Sequence, residues 1–258
     1  MESRPCALVT GASGGLGAEF SRILAAQGND LVLVARSESR LRALAAELED
    51  AHQVTVHVCP ADLSREDAAE EVFAFTEARG LYIDVLVNNA GFGDNGPFHV
   101  ADWQRQRDMV QVNVVALMQL CRLFAGPMVA RGHGRILNLS SVAAFSAGPG
   151  MSVYYASKAF VLSFSEALHE ELAGTGVTVT ALCPGPTSTG FAQAAKMGSA
   201  ATMFRHAADA QRVARDGIAA MEKGKAVCLQ GAFTKVAAMG SRFIPRALAR
   251  RFAGRMDR

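Results

Sequence analysis

Short, nearly unbroken runs of Val, Leu, Ile and Ala punctuate the chain, and between them apolar residues recur with helical spacing. CALVT (6–10), LVLVA (31–35), VTVHV (54–58), DVLVN (84–88), GRILNLS (134–140), VTVTALC (177–183) and AVCL (226–229) have the length and β-branched content of strands. Most are apolar throughout, as expected of strands covered on both faces; a half-exposed sheet would alternate. Helices are expected near 15–28, 38–50, 64–79, 101–131, 153–173 and 206–222. This alternation of strand and helix predicts an α/β, doubly wound (Rossmann-type) fold: a seven-stranded parallel sheet with helices on both faces.

Length and composition narrow the picture. With 258 residues and 50% hydrophobic content, the chain suits one large domain, 1–258, and no repeat or low-complexity linker divides it. Two stretches fall outside the alternation. One is 186–205, expected to form a substrate lid, which together with the helix that follows it spans 186–222; the other is a basic amphipathic C-terminal extension, 232–258. The balance of 26 basic against 24 acidic residues lacks the broad basic surface of a nucleic-acid binder. Five cysteines without C-x-x-C spacing read as free, buried thiols in a reducing compartment. Histidines such as His206 show no ligand spacing, so no metal site is expected. The N-terminus lacks a charged start followed by a long apolar region, and no run reaches about 18 uninterrupted apolar residues, so the expected location is cytoplasmic.

Candidate chemistry begins directly after the first strand. TGASGGLG, residues 10–17, runs into a helix, and a glycine-rich turn there lets backbone amides and the positive helix end approach a pyrophosphate. Its spacing is G-x-x-x-G-x-G, which differs from the commoner G-x-G-x-x-G. At the end of the second strand, where an acidic residue would bind the ribose of NAD, the chain has Arg36. A guanidinium there suits a 2′-phosphate and favours NADP (NADPH) over NAD, unless Arg36 is only a solvated residue opening the next helix. In YYASK (154–158), Tyr154 and Lys158 are one helical turn apart, and a cation beside a phenol favours the phenolate and lowers its pKa. Tyr155 lies about 100° further round the helix.

TGASGGLG, NNAG (88–91), YYASK and PGPTST (184–189) occur in order at matching places in the alternation. Together they resemble the short-chain dehydrogenase/reductase family, in its single-domain branch, over residues 5 to about 230. The resemblance implies a catalytic tetrad of Asn113, Ser141, Tyr154 and Lys158, with Ser141 chosen over Ser140 by its spacing of thirteen from Tyr154. It implies cofactor contacts from Gly11, Ser13, Gly15, Leu16 and Gly17, then from Asp62, Leu63, Asn89, Ala90 and Gly91. Pro184, Gly185, Thr187 and Thr189 would follow near the carboxamide, with Tyr154 and Lys158 at the nicotinamide ribose. Asp62 could equally cap the helix after it.

The implied function is NADP(H)-dependent interconversion of a ketone or aldehyde and an alcohol, with a tyrosine proton donor. Reduction of 3-oxoacyl thioesters in lipid synthesis is the rival, and a non-catalytic dinucleotide-binding sensor or scaffold is the alternative from a different class. The chain is expected to form a homodimer or homotetramer. Phe191, Met197, Met203 and Phe204 suit an apolar substrate or ordinary packing. The last eighteen residues carry net charge +5, with Ile244, Leu248, Phe252 and Met256 on one helical stripe and Arg242, Arg246 and Arg250 on another. Pro245 could sit in that helix's first turn. Such a helix can dock on its own fold or oligomer, the favoured reading, or lie on an anionic membrane surface.

Overall fold

The computed structural model describes residues 4–197 and 207–240. Its strands are β1 (Cys6–Thr10), β2 (Asp30–Ala35), β3 (Val56–Pro60), β4 (Ile83–Asn88), β5 (Gly134–Leu139), β6 (Val177–Cys183) and β7 (Val227–Leu229). All pair in parallel, in the order β3-β2-β1-β4-β5-β6-β7. The helices are α1 (Gly15–Ala26), α2 (Glu38–His52), α3 (Ala68–Glu77), α4 (Trp103–Val110), α5 (Leu117–Arg131), α6 (Ser152–Glu171), α7 (Phe191–Ala194), α8 (Ala210–Glu222) and α9 (Gly231–Gly240). The doubly wound sheet expected from the pattern is the fold.

Period-two alternation along each strand builds two cores. Ala7 and Val9 of β1, with Leu31 and Leu33 of β2, face Phe20, Leu41, Val213 and Ile218 of α1, α2 and α8. Cys6, Leu8, Val32 and Val34 point the other way, toward Val72, Leu120, Phe124 and Val161 of α3, α5 and α6. Both faces are thus covered, which is why the strands read as continuous apolar runs.

Three departures have local causes. The third strand begins at Val56, two residues later than VTVHV suggests: the Thr55 carbonyl accepts from the Leu31 amide at 2.9 Å, but its own amide goes to the Asp30 carboxylate at 2.8 Å. The expected 64–79 helix starts only at Ala68, after a turn in which the Asp62 carboxylate accepts from the Ser64 amide and hydroxyl at 3.1 and 2.8 Å. The expected 101–131 helix is continuous, but Gln111–Ala116 widens to π-helix between α4 and α5. Among the described residues this Trp103–Arg131 run alone is long and apolar enough to cross a membrane, and 44% of its apolar window is buried inside the fold. The C-terminal stripe from Ile244 to Met256, with Arg242, Pro245, Arg246 and Arg250, lies outside the described residues, as do Met203, Phe204 and His206.

Candidate active site

Strand order reverses between β1 and β4, the place where open α/β sheets form a ligand crevice at the carboxyl ends of their strands. A cleft of about 470 Å³ opens there, lined by the loops that follow β1, β4, β5 and β6.

At one end of the cleft, Gly11, Ser13, Gly15 and Leu16 form the turn into α1. Gly11 has φ +64°, and a Cβ on it would come within 2.7 Å of the Asn89 amide nitrogen. Only glycine fits both demands. No side chain caps α1 at Gly14, and its first turn carries no acidic residue, so its leading amides are free of side-chain competition for an anion. The turn is tied to the NNAG loop by Thr10. The Thr10 hydroxyl accepts from the amides of Asn89 and Ala90 at 3.0 and 2.9 Å, and Asn89 Nδ2 donates to the Thr10 carbonyl at 2.8 Å. Asn89, Ala90 and Gly91 therefore line the cleft beside the glycines. A phosphate-bearing dinucleotide fits this cradle.

Five sequence candidates lie outside the lining of the cleft: Gly17, Arg36, Asp62, Leu63 and, at the other end, Asn113. Gly17 is packed behind it, where a Cβ would overlap the Gly11 carbonyl oxygen. Arg36 is an exposed residue just past β2, whereas Arg40, in the first turn of α2, lines the cleft. Among the described residues neither arginine is held in an ion pair. Asp62 is engaged in the turn with Ser64, and Leu63 is buried against Ala68 and Ala116.

At the other end, α6 presents Tyr154 and Lys158 on one face, with Ser141 opposite at the end of β5. Lys158 is only 4% exposed, and Nζ donates to the Leu139 carbonyl at 2.7 Å. Burial depresses its pKa from 10.5 to about 8. Burial likewise pushes the Tyr154 phenol up to about 12, against the opposing pull of a hydrogen bond with Ser141. The lysine-lowered phenol suggested by the spacing is therefore not what this geometry produces: Nζ is turned to Leu139, 5.8 Å from the Tyr154 ring centre, and desolvation dominates.

The two adjacent serines both border the cleft but differ in their partners. Ser141 lines the cleft and its Oγ accepts from the Ala143 amide at 3.1 Å. Ser140 is buried and donates to the Lys158 carbonyl at 2.9 Å. Tyr155 packs its ring over Gly148, and meets Tyr154 edge-on at 6.2 Å.

Asn113 does not line the cleft. It sits in the π-helical segment, fully buried, with Oδ1 accepting from the Phe92 amide at 3.0 Å. Its Nδ2 donates to the Phe92 carbonyl at 2.9 Å and to Ser157 Oγ at 3.1 Å. A Cβ on Gly91 would lie 3.0 Å from Asn113 Oδ1 and 3.4 Å from Lys158 Nζ, so Gly91 leaves the space that both polar groups share. A π-bulge that carries a polar side chain to such a place is a common functional device.

On the β6 side, Pro184, Gly185, Thr187 and Thr189 complete the lining. The Pro184 carbonyl accepts from the Val142 amide at 2.8 Å, and Thr189 lies 3.4 Å from where a Cβ on Gly15 would be, so the β6 loop meets the glycine turn. The remaining wall is apolar: Phe92, Val142, Met151, Phe191 and Met197. Sequence reasoning named Phe191 and Met197 but missed Phe92 and Met151. The signal for Met151 is its place one turn before Tyr155 at the start of α6.

A sequence profile of the family described as short chain dehydrogenase matches residues 5–199. The chain belongs to the short-chain dehydrogenase family. Nodulation protein G of Rhizobium sp. (strain N33) is 41% identical over 182 residues, covering 69% of this chain and 71% of that protein. A 7beta-hydroxysteroid dehydrogenase of Collinsella aerofaciens is 35% identical over 182 residues, covering 70% and 68%. Among solved structures, a short-chain dehydrogenase from Sphingobium yanoikuyae in complex with NADPH superposes with a TM-score of 0.83 at 34% identity, covering 93% of this chain and 94% of that one. The protein is thus an oxidoreductase of a family whose members act on alcohols and ketones.

Proposed function

We propose that the protein reduces an apolar ketone or aldehyde with NADPH, reversibly, and that Asn113, Ser141, Tyr154 and Lys158 carry the reaction. The observation behind this reading is the convergence, in one cleft, of a phosphate-receptive glycine turn with a buried lysine, a phenol and a serine hydroxyl. The cofactor would rest on the α1 N-terminus, the NNAG loop and the Pro184–Thr189 loop, and supplies the hydride when bound. Tyr154 holds its proton across the physiological range, as a donor to a carbonyl oxygen must. Ser141, in the same cleft as that phenol, donates to the same oxygen and orients it. Lys158 keeps a positive charge beneath the site below about pH 8, which favours the negative charge developing there. Asn113 holds the Phe92 backbone and Ser157 in register beside Lys158.

Two further features support the choice of partner molecules. Among the described residues Arg36 and Arg40 are in no ion pair, and a 2′-phosphate is the group that would engage them. The wall of Phe92, Met151, Phe191 and Met197 offers apolar contact without a charged group, which suits a ketone with bulky apolar substituents. The bound dinucleotide in the Sphingobium structure is NADPH, and the Collinsella relative is a hydroxysteroid dehydrogenase; both names agree with this reading. Oxidation of NADPH and of NADH, followed by absorbance against acetophenone, a steroid ketone, a sugar aldehyde and a 3-oxoacyl thioester, tests it. Turnover is expected with the first two and NADPH. No turnover of any carbonyl compound, or a clear preference for the thioester, overturns the proposal.

A further inference from the structure

Beyond the cleft itself, one arginine gathers three separate pieces of chain. Arg105 of α4 places Nε 2.6 Å from Asp94 Oδ1, and its Nη2 donates to the carbonyls of Ala194 at 2.7 Å and Gly93 at 3.3 Å. Ala194 is the last residue of α7, so the guanidinium takes a carbonyl that the helix leaves without a partner, at its negative end. Asp94 is only 10% exposed on its side chain, and its second oxygen accepts from Gln106 at 2.9 Å. Lys196 adds a looser contact at 3.8 Å. The backbone closes the same seam, with the Asn95 amide donating to Ala195 at 2.9 Å.

What this seam holds is the apolar wall of the site. Phe191 opens α7 and packs against the Tyr154 ring with centres 5.2 Å apart. Gly93 lies under it, where a Cβ would be 2.9 Å from the Phe191 ring, 3.0 Å from Met151 and 3.4 Å from Ala195. Arg105 reaches this wall through α7 and the loop after β4, and it is absent from the lining of the cleft. Exposure of 28% marks it as partly shielded, so its ion pair is less screened than a surface one.

We propose that Arg105 is a positioning residue that latches α7 to the loop after β4, and so sets the substrate wall of Phe191 and Met197 over Tyr154. The inference rests on the carbonyl-reductase reading for its kinetic consequence, but its structural content is independent of it. Hydrogen exchange of the 188–197 backbone and steady-state kinetics with NADPH and acetophenone are compared in the parent, Arg105→Gln and Arg105→Lys. Arg105→Gln should speed exchange in that segment about tenfold and raise the ketone KM about tenfold, while the NADPH Kd and the exchange of α1 stay unchanged. Arg105→Lys, which can still reach the Ala194 carbonyl, should recover part of both effects. Unchanged exchange in Arg105→Gln overturns the latch, whatever the kinetics. If the parent turns over no ketone, the functional reading fails while exchange still decides the latch.

Discussion

The Lys158 ammonium donates to the Leu139 carbonyl over 2.7 Å, and this pins the first turns of α6 to the end of β5. With Lys158 depressed to about 8 and Tyr154 raised to about 12, the phenol keeps its proton throughout the range in which the ammonium titrates. The reductive kcat/KM should therefore hold steady below about pH 7 and fall as Lys158 loses its charge above about 8, by up to about tenfold per unit. A pH profile at saturating NADPH checks this. A profile flat from about 7 to about 10 would show that another group governs the rate. The linkage runs in a definite direction as well. A lysine whose folded pKa lies below its unfolded value opposes folding while it is charged, so its cost is full below about 8 and fades as pH rises toward 10.5. Replacing Lys158 with Met should remove that rise in stability.

Tyr154 and Tyr155 differ in surroundings more than in position. Tyr154 lines the cleft with Ser141 and meets the Phe191 ring at a 47° tilt, whereas Tyr155 lies over Gly148. Tyr154→Phe should lower kcat by about 10²- to 10⁴-fold with the fold intact, because it removes only the donor. Tyr155→Phe should leave kcat close to the parent value. Equal losses in the two variants would argue against Tyr154 as the sole proton donor.

The strands were legible because both faces of the sheet are covered, so each appears as an unbroken apolar run such as LVLVA or VTVTALC. The start of β3 was not, since it depends on Asp30, 25 residues away, capturing an amide. Ser141, Tyr154 and Lys158 were named through the family resemblance, and one strand end and one helix bring all three to the cleft. Asn113 was placed correctly on its long helix, but QVNVVA has no Pro or Gly to announce the π-helical widening that delivers its side chain to Gly91. The wall of Phe92, Met151 and Phe191 joins three loops, and no single stretch of sequence encodes that meeting.

Arg36 and Arg40 divide a question that the sequence put first to Arg36. Arg40 lines the cleft from the first turn of α2, and Arg36 is exposed at the end of β2. If either holds a 2′-phosphate by charge-assisted hydrogen bonds, its loss should cost about 1.5–3 kcal/mol, or about 10- to 150-fold in the preference for NADPH over NADH. The ratio of kcat/KM values for the two cofactors is measured in Arg36→Ala, Arg40→Ala and the double variant. We expect both single variants to lose preference and the double to lose most. An unchanged ratio in the double variant would refute phosphate recognition by this pair.

The glycine turn offers a contrast between two neighbours with different constraints. A Cβ on Gly17 would overlap the carbonyl oxygen of Gly11, a backbone atom that cannot swing aside. Gly14 has φ 169°, an extended conformation open to any residue, and nothing lies within 4 Å of where its Cβ would be. Gly17→Ala should therefore destabilise the protein by about 1–3 kcal/mol through forced separation of α1 from the β1 turn. The same separation should weaken NADPH binding, because the amides of that turn form the anion cradle. Gly14→Ala should leave the melting temperature of the free protein unchanged, since the added methyl meets only solvent. Thermal unfolding of both variants without cofactor, followed by titration with NADPH, separates the two effects. Equal melting temperatures for Gly17→Ala and the parent would mean that the helix shifts at no cost, and that close packing of α1 on the turn does not stabilise the site.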